Sequence, residues 1–89
     1  MPDWSLTLGV FAERKDALQA LKKGRRVAAK ARRAIAVRET RSGFYAIMFA
    51  DDRKAAEALR FKLRDGGVNA QIIDPAGKQA LRLKILGDQ

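Results

Sequence analysis

The sequence predicts one α+β domain of layout βαββαβ, a four-stranded antiparallel sheet with both helices on one face. Three observations lead there. The chain has 89 residues, enough for one domain with a modest core. Its apolar residues recur with period two in four short segments and with helical period in two longer ones. The two halves of the chain also align with each other, as a repeated unit does.

The first strand is Trp4-Ser5-Leu6-Thr7-Leu8-Gly9. Trp4, Leu6 and Leu8 fall on one side and Ser5 and Thr7 on the other, with Gly9 allowing a sharp turn afterwards. A helix is expected from Glu13 to about Lys23, with Ala17, Leu18 and Ala20 or Leu21 as its apolar stripe. Glu13 and Asp16 suit its positive end, Lys22 and Lys23 its negative end, and Gly24 its stop. Arg25 to Arg33 reads as a second helical piece, through Val27, Ala28 and Ala31.

Ala34 to Glu39 reads as the second strand, with Ile35 and Val37 inward. Thr40-Arg41-Ser42-Gly43 is a turn, and Tyr45 to Ala50 is the third strand, its large residues Tyr45, Ile47 and Phe49 placed inward. Asp51 or Asp52 caps a second helix that runs to about Arg64 and buries Ala56, Leu59 and Leu63. Gly66-Gly67 ends it. Val68 to Ile73 is the fourth strand, with Val68, Ala70 and Ile72 inward. Asp74-Pro75-Ala76-Gly77 breaks the pattern. In the tail, Leu81, Leu83 and Ile85 alternate like a strand, while Leu81 and Ile85 also share a helix face. The unit is thus placed at residues 4–74, and 75–89 is a tail expected to add a little to the core from outside it.

In the repeat, Trp4 to Gly9 lies over Tyr45 to Ala50, and Glu13-Arg14-Lys15-Asp16-Ala17 over Asp52-Arg53-Lys54-Ala55-Ala56. Two strand–helix–strand halves joined in this way leave one sheet face bare. By the alternation above, that face presents Ser5, Thr7, Arg38, Ala46, Met48, Asn69 and Gln71.

Composition narrows the chemistry. The chain has no cysteine and no histidine, which removes disulfides, thiolate metal sites and the commonest general base. Asp51 and Asp52 are adjacent and read as a helix start, and no glycine-rich phosphate loop is present. Catalysis by this chain is therefore not expected, nor is a cofactor. Nineteen Lys and Arg against ten Asp and Glu give a net charge of +9, which attracts polyanions. The sharpest basic feature surrounds Arg25, Arg26, Arg32 and Arg33; it suits a grip on phosphate or wall carboxylates, and equally a solvated helix end. No apolar run approaches the roughly 20 residues of a membrane-spanning helix, so no insertion by this chain is expected. No apolar segment near Met1 resembles a secretion signal, so export would make this chain a piece of a longer protein.

An aromatic-started strand, Gly9-Val10-Phe11 and a helix carrying Ala17 together resemble the opening of the SPOR domain family. The second half is similar to the same family: the strand from Tyr45, the helix with Ala56 and Leu63, Gly66-Gly67 and a short last strand. The resemblance covers roughly Trp4 to Asp74, in the order and spacing of its parts. Two positions depart from the family's habit: Thr7 stands where a glutamine is usual, and Ala50-Asp51-Asp52 where a Gly-Pro-Phe turn is usual.

The resemblance implies a bacterial envelope module in the periplasm or cell wall, part of an exported or membrane-anchored protein that can carry a separate catalytic domain. It implies binding to peptidoglycan glycan strands stripped of their peptides, at the division septum, through the bare sheet face. Ser5, Thr7, Asn69 and Gln71 suit hydrogen bonding to such a strand, Met48 an apolar contact, and Arg38 a lactyl carboxylate. The same residues also suit the solvated face of any antiparallel sheet. Trp4 and Tyr45, read as inward, are assigned to packing rather than to sugar stacking. The runner-up is single-stranded nucleic acid, because RNA-recognition domains share the βαββαβ layout; it is disfavoured because the outward positions read from the central strands, Ser5, Thr7, Ala46 and Met48, include no aromatic residue.

Overall fold

The computed structural model describes residues 4–28 and 35–85 of the chain. Its elements are β1 (Trp4–Phe11), α1 (Arg14–Val27), β2 (Ile35–Thr40), β3 (Gly43–Ala50), α2 (Arg53–Asp65), β4 (Gln71–Ile73) and α3 (Pro75–Arg82). The strands form one antiparallel sheet in the order β2-β3-β1-β4, the arrangement expected of two repeated halves.

α1 and α2 pack on one side of this sheet. The core there holds Leu6 and Leu8 of β1, Ala46, Met48 and Ala50 of β3, Ala17 and Leu21 of α1, Ala56, Leu59 and Leu63 of α2, and Val68 and Ala70 before β4. Leu6 pairs with Met48 on one side and with Ile72 on the other, so all three share the helix-facing side. β3 therefore runs opposite to its expected facing. Ala46 and Met48 point to the helices, and Tyr45, Ile47 and Phe49 point away. A period of two fixes which residues share a face but not which face is buried, and β3 is apolar in both phases. Close helix approach selects the phase with the two alanines.

Gly24 shows how close that approach is. It lies inside α1 and is not its stop, since the helix runs on to Val27 and Ala28 N–H donates to Gly24 O at 2.9 Å. A Cβ at Gly24 would sit 2.7 Å from Leu8 Cδ1 and 3.2 Å from Met48 Sδ. The missing side chain is what lets the last turns of α1 rest on the strands. The remainder of the expected second helical piece, residues 29–34, lies outside the described residues, and with it Arg32 and Arg33.

Gly9 does not follow β1 but lies within it. The register passes from Thr7↔Ile47 to Gly9↔Ala46, leaving Leu8 as the extra residue of a β-bulge. Gly9 has φ +135°, a conformation that favours glycine. The Thr7 hydroxyl clasps the bulge: Oγ1 accepts from Gly9 N–H at 3.1 Å and donates to Gly9 O at 3.2 Å.

α2 begins as expected at Asp52, whose Oδ1 accepts from Ala55 N–H at 2.8 Å. The break expected at Asp74-Pro75 is instead the start of α3. Asp74 Oδ1 accepts from Gly77 N–H at 2.7 Å, and Pro75 opens the helix. Of the two patterns open in the tail, the helical one holds through Arg82, and it buries Leu81.

Candidate functional site

The second face of the sheet follows from the pairing register. One row across it is Phe49, Ser5 and Ile73; the next is Ala36, Ile47, Thr7 and Gln71; the third is Arg38, Tyr45 and Val10. Residues paired across antiparallel strands share a face, so Thr7 and Gln71 are neighbours on one surface.

α3 divides this face in two. It leaves β4 at Asp74 and lies over the first row, where its Gly77 sits against Ile73. Lys78 Nζ stands 5.2 Å from the centre of the Phe49 ring, a cation–π distance. Leu81 is buried, as is Ile47 on the sheet (4% exposed). Beyond the helix, Ile85 bridges to Thr40 at the outer edge of β2. Between α3 and the sheet remains a cavity of about 350 Å³, lined by Ser5, Arg38, Ile47 and Phe49 below and by Lys78, Leu81, Arg82 and Ile85 above.

The other part of the face stays bare. Arg38, Asn69, Gln71 and Val10 are exposed, and Thr7 and Tyr45 are half-buried. Asn69 and Gln71 line a shallow hollow of about 170 Å³ beside Thr7, Gly9 and Val10. A tyrosine ring flanked by Arg38, with two carboxamides across the strand, offers an apolar plane with donors and acceptors at its rim.

Arg38, Thr7, Asn69 and Gln71 are thus brought to one surface, as expected from the sequence. Thr7 has its hydroxyl hydrogen committed to Gly9, which leaves one acceptor lone pair for a ligand. Ser5 is on the right face but 1% exposed, beneath α3. Met48 is on the wrong face: it is fully buried among Leu6, Gly24 and Leu63 and cannot touch a ligand. Arg25 and Arg26 are exposed in the last turn of α1, on the helical side and apart from the bare face.

The reversed phase of β3 also exposes what the sequence reading missed. Tyr45 and Phe49 belong to the second face, and α3 adds Lys78 and Arg82 to it. The signal was present in the helices. Half of their buried residues are small, Ala17, Gly24 and Ala56 beside Leu21, Leu59 and Leu63, and the small ones let the small phase of β3 lie opposite them. Among the described residues, no group of three or more acidic side chains is placed to hold a metal ion.

Comparison with known proteins gives one match. No curated protein and no solved structure matches the chain significantly. The profile of the SPOR domain family matches residues 2–74, from the start of β1 to the cap of α3, and leaves α3 itself outside. Since that match takes in every strand, both core helices and the bare half of the sheet face, this chain belongs to the SPOR domain family.

Proposed function

We propose that this chain is a non-catalytic module that binds denuded peptidoglycan glycan strands and carries an attached envelope protein to the division septum. Family membership supports wall binding. The observation that carries the finer reading is the bare half of the sheet face, where the Tyr45 ring stands between Arg38 and Val10 with Asn69 and Gln71 nearby. A sugar ring has an apolar face and a rim of hydroxyl and acetamido groups. Tyrosine meets the first, and carboxamides meet the second through paired donors and acceptors. Such a module works in the periplasm or wall, as part of an exported or membrane-anchored protein, and needs no cofactor.

The test is retention on peptidoglycan sacculi before and after an amidase removes their peptides. Retention should rise with peptide removal. Equal retention on both, or none on either, would contradict the proposal.

A second reading, binding of single-stranded nucleic acid, gains from the corrected phase of β3. Tyr45 and Phe49 occupy the outer face of a central strand, where RNA-recognition domains stack bases. Charge placement speaks against it. α1 carries six cations against one acid and α2 five against two, and both helices lie behind the sheet, away from those rings. Labelled single-stranded RNA titrated at two salt concentrations separates the readings. Tight binding with a steep salt slope that is lost in Tyr45→Ala would favour nucleic acid.

A further inference from the structure

We propose that the cleft between α3 and the sheet is a carboxylate-reading subsite, which takes an acidic sugar of the glycan and so distinguishes a strand with free lactyl carboxylates from one whose carboxylates are blocked as amides. This rests on the glycan-binding reading above and extends it to a cleft whose upper wall, Lys78 to Ile85, lies beyond the family-matched residues 2–74.

The cleft has the right size and lining. About 350 Å³ is at the lower end of ligand pockets, room for one substituted sugar ring. Its apolar residues are Ile47, Phe49, Leu81 and Ile85. Its charged residues are Arg38 from β2 and Lys78 and Arg82 from α3, and among the described residues no acidic side chain lines it. Lys78 and Arg82 are one helical turn apart, so they address the same side of α3 as Leu81, which anchors that side to the sheet. Cations from two separate elements thus converge on one apolar cavity.

An anion entering the cavity meets arginines from two separate elements, and arginine supplies paired N–H donors that match a carboxylate. When an amidase cuts the bond between a lactyl group and its peptide, the lactyl carbonyl gains a hydroxyl from water and ionises, while the peptide leaves as an amine. A charge at the lactyl position therefore reports that the peptide is gone. A muramyl residue still bonded to its peptide presents a neutral amide at the same place and has bulk beyond it.

The test compares the full chain binding to glycan oligosaccharides from amidase-treated sacculi with its binding to the same oligosaccharides after their carboxylates are converted to primary amides. That conversion changes charge with almost no change in size. The native chain should bind the carboxylate form at least about tenfold tighter, with the preference shrinking as salt rises. The double variant Arg38→Gln/Arg82→Gln, changed at two exposed positions, should lose the preference and bind both forms alike. Equal binding of the two forms by the native chain would overturn the subsite and leave glycan binding standing. So would a double variant that keeps the full preference. Binding of neither form would overturn both proposals.

Discussion

The sheet has two faces, and they are covered differently. Against the first lie α1 and α2, with Leu6, Leu21, Met48 and Leu63 all but sealed from solvent and a glycine where α1 comes closest. Against the second, among the described residues, lies one helix, α3, eight residues long, anchored by one buried leucine over a cavity of about 350 Å³. Both faces are apolar enough to be covered, so hydrophobicity alone does not separate core from site. The difference is in completeness. A face packed to interior density is rigid and resists change, whereas a face under a short, loosely packed helix belongs to the low-stability end of the molecule, where ligands can act.

The largest expected effects lie on the packed face. Leu6→Ala or Leu63→Ala removes a fully buried side chain from the shared core and should cost about 2–5 kcal/mol in urea unfolding. A cost near that of an exposed leucine would mean that the first face is no more tightly packed than the second. Gly24→Ala should come next, at about 1–3 kcal/mol, because its Cβ meets Leu8 and Met48. Alanine is intrinsically the better helix former by about 1 kcal/mol, so a stabilised variant would show that Leu8 yields at no cost.

On the second face, Leu81→Ala should cost only about 1–2 kcal/mol, since solvent and cavity already border it, and the loss should stay local. Amide hydrogen exchange should speed up in α3 while β1 and β3 keep their protection. Exchange that accelerates everywhere would make α3 part of the core. The smallest effects separate the two helix caps. Asp52→Ala and Asp74→Ala each remove one carboxylate–amide hydrogen bond, worth about 1 kcal/mol. The first should lower the global unfolding midpoint, and the second should fray α3 alone.

Much of this arrangement is legible in the sequence. The four strands, α2 with its Asp52 cap, and the order of elements follow from period, turn residues and the internal repeat. What the sequence did not yield has a common cause: it required knowing what stands opposite. Period two groups Tyr45, Ile47 and Phe49, and separately Ala46 and Met48, but only the small inward residues of α1 and α2 decide which group goes under them. Gly24 and Gly9 read locally as punctuation, yet one is a contact point and the other a bulge. Asp74-Pro75 is a turn signal and a helix start in the same letters, and only the buried Leu81 selects the helix. On the site, Arg38, Asn69 and Gln71 were legible by alternation, because β2 and the approach to β4 each have one polar phase. Met48 was misplaced and Tyr45 missed through the same ambiguity in β3.

Glycan recognition by the second face is tested most directly by following backbone amide resonances while denuded glycan oligosaccharides are added. The largest shifts should fall on Arg38, Tyr45, Asn69, Gln71 and the residues of α3, with the outer surfaces of α1 and α2 unmoved. Shifts gathered instead on the cationic helices α1 and α2, with Tyr45 and Gln71 silent, would place the binding surface behind the sheet and contradict the account.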